Sequence, residues 1–257
     1  VTIGANTFRG DGARYAVHVE IDDVVADFTL TAEVAPWRPE TGHTFFGPAE
    51  EHFIAWLPVV ARGSVDAVIT VDGDTRTSTG TGYHDHDWGN AAPRKVLDHW
   101  YWGRARIGAY TVVTLMFVSH DDYRNAPLPA VMIAKGGQIV ASAVGADQVD
   151  FTGERPTTQD QTGVPFAKTL QYRVVAGDST FVVTFDHRRD AYTLDFGAAG
   201  AYLRFSGDVS IEHRDGTGSS TESATALWEL LSFGHRRGDG SGAATTEPGT
   251  VVSGHQA

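Results

Sequence analysis

Along this chain apolar and polar side chains change places every second residue, run after run. "RYAVHVEI" (Arg14–Ile21), "DFTLTAEV" (Asp27–Val34), "SVDAVITV" (Ser64–Val71), "YTVVTLMFV" (Tyr110–Val118), "KTLQYRVV" (Lys168–Val175), "TFVVTFDH" (Thr180–His187) and "AYLRFSGDVSIEH" (Ala201–His213) all carry this signal. In a pleated strand successive side chains point to opposite faces, so a period of two buries one face and wets the other. The runs are rich in β-branched and aromatic residues, which favour strand over helix. "VDGD" (Val71–Asp74) and "AGDS" (Ala176–Ser179) sit between such runs and suit tight hairpin turns. No helical period lasts longer than a turn or two. Many strands joined by short turns must close as an antiparallel sandwich or barrel. The chain is predicted to be all-β.

The 257 residues leave room for one large β domain or two smaller ones, each with its own core. "GNAAPRK" (Gly89–Lys95) is the best break, because Pro93 and small residues interrupt the pattern. This predicts two tandem antiparallel β domains, 1–93 and 94–237. "GADQVDFTGERPTTQDQTGVP" (Gly145–Pro165) reads as a polar connection with a strand inside it. Residues 238–257 are rich in Gly, Ser and Thr, have no period, and read as a disordered tail.

Composition removes several classes of function. A net charge of −12 argues against a nucleic-acid partner, which is bound through clustered Lys and Arg. Without cysteine there is no disulfide framework, thiolate zinc site, iron–sulfur cluster or thiol nucleophile. No stretch approaches the roughly 18 apolar residues of a membrane span, so no integral membrane segment is expected. No signal peptide is visible, which favours a cytoplasmic or membrane-peripheral location. Because the chain begins at Val1 and not at Met, an N-terminal portion is read as removed or not included.

"GTGYHDHDWGN" (Gly80–Asn90) holds a tyrosine, two histidines, two aspartates and a tryptophan in six consecutive positions. In an extended strand His84, His86 and Trp88 share one face, and Tyr83, Asp85 and Asp87 the other. Three readings compete. His-x-His offers two metal ligands, but no third follows at short spacing. The polar groups could instead tie neighbouring strands together while Trp88 plugs a barrel end. Or a His–Asp pair against an aromatic wall supplies a proton-transfer group with a tuned pKa. These residues alone do not put the third reading above the second.

The motif, followed by "HWYWGRARIGAYTVV" (His99–Val113), resembles the Gly-Tyr-His-Asp-His-x-Trp-Gly and Trp-x-Trp-Gly-Arg signatures of the carotenoid 1,2-hydratase/AttH-like lipocalin family. The order of pieces from Val1 to about Phe233 fits as well. The resemblance implies tandem lipocalin-like barrels, the N-terminal one incomplete, and a hydrophobic small-molecule substrate such as an isoprenoid or polyene. It implies addition of water to a terminal double bond, with Diels–Alder-type or cation-driven cyclisation, or simple carriage of a ligand, as alternatives. No cofactor or metal is implied, and peripheral membrane contact is compatible with it. Carried over residue by residue, it makes His86 and Trp88 catalytic, with Asp85 and Asp87 supporting them. Tyr83, His84, Trp100, Trp102, Arg104 and Trp56 become substrate-binding. The four tryptophans are expected to border a cavity, with Asp85 or Asp87 bonded to a neighbouring strand or to Arg104. The family's hydratases also carry a Tyr-x-Asp pair downstream that contributes the acid. "DDY" (Asp121–Tyr123) and "YTLD" (Tyr192–Asp195) have the wrong spacing for it, so the proton donor stays unassigned.

Other residues read more plainly. His52, Ile54 and Trp56 form a packed strand face. Trp228 and Glu229 belong to a closing strand, with Glu229 a candidate inward acid. His187, His213 and His235 read as solvated.

Overall fold

Alternation becomes sheet along nearly the whole chain. The computed structural model describes residues 1–234 and 251–253. Its strands are β1 (Thr2–Ile3), β2 (Asn6–Gly10), β3 (Arg14–Ile21), β4 (Val24–Ala32), β5 (His43–Phe46), β6 (His52–Val71) and β7 (Asp74–Gly89). After a single helical turn, α1 (Pro93–Val96), come β8 (Leu97–Ile107), β9 (Tyr110–Ser119), β10 (Pro127–Lys135), β11 (Gln138–Val144) and β12 (Val149–Thr158). The remainder are β13 (Pro165–Ala176), β14 (Ser179–Asp195), β15 (Ala201–Asp215), β16 (Gly218–Ser232) and β17 (Val251–Ser253). The all-β, antiparallel prediction holds. Both expected hairpins form: Asp72 and Gly73 take positive φ between β6 and β7, and Gly177 does so between β13 and β14.

Two units make up the chain, each discontinuous in sequence. The first comprises residues 1–38, 56–87 and 137–139, and the second residues 39–55, 88–136 and 140–257. In the first, strands run in the order β1-β2-β3-β4-β6, and β7 pairs with β6. Tyr15, Leu30, Val59 and Val60 form its buried cluster, with Phe8, Leu57 and Val65 against it. The expected tail falls on residues outside the described ones except Val251–Ser253. Those three form β17 and pair antiparallel with β5.

The second unit carries a nine-stranded sheet, β11-β10-β9-β8-β16-β15-β14-β13-β12. On β15 the period of two is unbroken: Ala201, Leu203, Phe205, Gly207, Val209 and Ile211 are buried while the residues between them are not. Tyr101, Gly103, Ala105 and Ile107 of β8 follow the same rule. A one-residue slip would move every one of these to the other face, so the register is strongly specified. The polar connection 145–165 contains the expected strand, which is β12.

Two local readings are corrected here. Trp228 points into the core and is 1% exposed, so its neighbour Glu229 lies on the opposite face. There Glu229 accepts from the Tyr202 hydroxyl at 2.6 Å and from Arg204 at 3.1 Å, and it is not an inward acid. Nor are His187 and His213 solvated. His187 sits edge-on to Phe166 and Phe205, both at 5.2 Å, and His213 stacks on Phe181 at 4.6 Å. Flat imidazoles next to aromatic rings cover apolar surface while their nitrogens keep polar partners. His187 bonds Asp190 at 2.8 Å, and His213 bonds Ser179 at 3.1 Å. His235 lies outside the described residues.

Candidate functional site

The first half of the motif lies near the end of β7 in the first unit. Tyr83 and Asp85 share a face, as the strand period requires, and the Tyr83 hydroxyl donates to Asp85 Oδ2 at 2.8 Å. The Trp56 indole N–H, from β6, donates to the same oxygen at 3.1 Å. Trp56 is 5% exposed and meets Trp37 edge-on at 5.5 Å, with Trp37 3% exposed. The aspartate is thus bonded to the neighbouring strand through Trp56. A hydrogen-bonded Tyr-x-Asp pair therefore exists, upstream of Trp88 and inside the motif itself.

His84 lies on the other face. Its ring is 4.7 Å from Tyr15 and 4.9 Å from Phe8. Burial lowers its pKa below the ordinary 6.5; Asp85 opposes the shift and His86 adds to it. The neutral ring is therefore favoured in the fold. As pH falls below about 6.5, the unfolded chain takes up this proton first, and stability declines until the folded ring is protonated too. Thermal melts from about pH 7 to about pH 5 should show a steeper loss of Tm for the unmodified protein than for His84→Gln. Parallel curves would remove His84 from the account.

His86 and Asp87 are exposed. Trp88 and Asn90 belong to the second unit. Trp88 is 36% exposed and meets His43 edge-on at 5.4 Å. Asn90 clamps the motif's end to β6: its Oδ1 accepts from the Phe53 N–H at 2.8 Å, and its Nδ2 donates to the Glu51 carbonyl at 2.9 Å. No group of three metal-ligating side chains gathers at the motif among the described residues. The one group among them that could hold an ion is His120, Asp121 and Asp122 in the β9–β10 connection, where His120 Nδ1 already meets both carboxylates.

Trp100, Trp102 and Arg104 lie on β8, on the face opposite the buried Tyr101, Gly103 and Ala105. Trp100 packs edge-on against Phe117 at 5.9 Å and Phe233 at 5.4 Å. Trp102 is the cross-strand partner of Glu229, and Arg104 is exposed. A cleft of about 770 Å³ opens at the end of the sheet where β8 begins and β16 stops. None of the four predicted tryptophans lines it; Asp98 and His99 do. Sequence reasoning passes over these two, although His99 opens the second signature stretch.

Two large antiparallel sheets, built almost wholly of strand, define a lipocalin-like fold. The chain belongs to the Diels-Alderase-like family, whose model matches residues 11–220. It is 31% identical over 146 residues to the quinolone epoxide rearrangement protein asqO of Emericella nidulans, a match covering 53% of this chain and 39% of that protein. The chain thus spans about two fifths of that relative's length. By structure it resembles kievitone hydratase from Nectria haematococca, with a TM-score of 0.55 and 16% identity over 90% of this chain and 70% of the other. It also resembles a Nitrosomonas europaea protein designated AttH, with a TM-score of 0.57 and 19% identity over 91% of this chain and 70% of the other. The relatives are enzymes, and the solved structures share the fold. The finer resemblance, to carotenoid 1,2-hydratases, does not follow from them. No helix among the described residues is long and apolar enough to cross a membrane.

Proposed function

We propose that this protein is an enzyme of natural-product biosynthesis that isomerises a neutral, largely apolar skeleton by ring closure or epoxide rearrangement. The observation that carries this reading is the Asp85 carboxylate, held on Oδ2 by Tyr83 and Trp56 beside the Trp37–Trp56 pair. Two donors fix the group without neutralising it, and Oδ1 is left to take a proton or to face a developing cation. An aromatic wall stabilises the same positive charge. Such a reaction needs shape and a few well-placed polar groups more than a strong acid. The family and the epoxide-rearranging relative support the reading.

Hydration is the second reading, favoured by the His86-x-Trp88 resemblance and by the fold shared with kievitone hydratase. In its most concrete form it is the carotenoid 1,2-hydratase-like addition of water to a terminal double bond. His86 and Trp88 would then act on the alkene, with Tyr83 and His84 against the substrate and Asp87 in support. Simple carriage of a ligand would leave the molecule unchanged.

Incubation in heavy water with an aryl quinolone epoxide, a linear polyene and an acyclic carotene separates the three. We expect an isomer of unchanged formula from the epoxide or the polyene. A product heavier by one molecule of water, with deuterium at the hydrated end, would replace this reading with hydration. Recovery of every compound unchanged would overturn both.

A further inference from the structure

Asp98 and His99 are consecutive in sequence, and yet their side chains meet, with His99 Nδ1 2.6 Å from Asp98 Oδ2. In a regular strand they would point to opposite faces. The β8–β9 ladder pairs Leu97 with Ser119 and His99 with Val118, so Asp98 is an extra residue at a register shift. Bulges of this kind re-aim side chains and are over-represented beside active sites. An ionised carboxylate can only accept, so the imidazole donates from Nδ1, and in the neutral tautomer this selects, Nε2 is the proton-accepting atom. The edge of Tyr101, 5.7 Å away at 90°, helps fix the ring.

Both residues line the cleft at the end of the nine-stranded sheet. Its other walls come from the β12–β13 turn, the β14–β15 turn and the end of β16, all within the second unit. The β12–β13 turn is internally braced. Gln159 is 5% exposed, and its Oε1 accepts from the Gln161 N–H, the Thr162 N–H and the Thr162 hydroxyl. A cleft of about 770 Å³ suits a small organic ligand, for which sites run from roughly 300 to 1,000 Å³.

We propose that the Asp98–His99 pair makes this cleft a binding and proton-accepting site for a neutral, ring-bearing molecule with a weakly acidic hydroxyl, such as a phenol or an enol. Val164, Pro165 and Leu230 offer the ring an apolar wall. Asp98 and the net charge of −12 disfavour a carboxylate or phosphate. The hydroxyl bonds to Nε2 and can transfer its proton there. The O–H bond breaks, its electron pair stays on oxygen, and the imidazolium is held by Asp98. The proton returns by the same path, and no other reactant is consumed. This site goes beyond the isomerase reading and does not depend on the Asp85 cluster.

The test uses three probes on the full chain: β-naphthol, its methyl ether, and naphthoate. Affinities come from calorimetry, and the protonation of the histidines from imidazole nitrogen NMR. We expect β-naphthol to bind saturably and about tenfold tighter than either other probe, since it alone carries a hydroxyl that can donate to Nε2. The nitrogen signal that moves on binding should vanish in His99→Gln, and that variant should bind β-naphthol no better than the ether. Asp98→Asn should reduce the preference as well, and it carries the comparison if His99→Gln does not fold. Equal binding of the three probes, no binding, or a preference that survives both substitutions would overturn the proposal. The probes do not react, so an idle enzyme in the product assay leaves this result untouched.

Discussion

Trp228→Ala is expected to destabilise the protein by about 3–5 kcal/mol, the range for removing a fully buried aromatic. The indole lies in the centre of the nine-stranded sheet, 5.4 Å from Phe185 and 6.0 Å from Phe205. It also fills the space that Gly207 leaves. A Cβ at that glycine would stand 2.7 Å from Trp228 Cη2 and 2.0 Å from the Asp186 carbonyl oxygen, so neither neighbour has room to give. The walls around the indole are themselves buried strands that cannot collapse into the gap. Against a typical net stability of about 5–15 kcal/mol, such a loss is a large fraction. Trp228→Phe keeps most of the volume and removes an indole N–H that has no hydrogen-bond partner among the described residues. It should cost no more than about 2 kcal/mol. Urea unfolding midpoints at constant m-value decide the matter. A loss for the alanine variant no greater than that for phenylalanine would mean that the sheet closes around the gap.

Asp85→Asn is expected to lower kcat by about 10²–10⁴-fold while leaving the fold in place, the range for losing a proton-transfer group. The amide has the shape of the carboxylate, and its oxygen can still accept from Trp56 and Tyr83. What it loses is the charge and the ability to take a proton. Tyr83→Phe should cost much less, because the Trp56 bond still holds the group. His86→Gln separates the two functional readings. It should spare an isomerase centred on Asp85 and disable a hydratase centred on His86. Full turnover in a folded Asp85→Asn variant would falsify the isomerase reading.

The fold is legible in the sequence where burial is one-sided. On β15 each pair of core residues is separated by a residue that can face water, and on β8 Arg104 and Arg106 alternate with buried Gly103, Ala105 and Ile107. The same period puts Tyr83 and Asp85 on one face, where their side chains do meet. Their partner Trp56 is not legible, because the pairing of β6 with β7 sets two residues 29 positions apart side by side. Trp100 and Trp102 are expected at a cavity. The strand period itself puts them opposite Tyr101 and Gly103, and it is Gly103 whose missing side chain leaves room for Phe185 and Thr114. The histidines at 187 and 213 look solvated because an acidic residue and an arginine flank each of them in sequence. Their neighbours in space are aromatic rings from other strands. The cleft is hidden for a similar reason, since its walls come from segments far apart in the chain.

The shift at Asp98 has a consequence for how the chain tolerates change. Side-chain direction along β8 is set by counting from the ladder to β9, and Asp98 is the extra count. Deleting it would restore a regular ladder at that point, with Leu97 and His99 on adjacent rungs. The imidazole would lose its carboxylate, although every other residue near the cleft would still be present. Conservative substitutions at this position are therefore milder than a one-residue deletion, which a loop would tolerate far better than this strand. A related chain lacking this one residue would therefore lack the His–Asp pair even with every other residue of the strand in place.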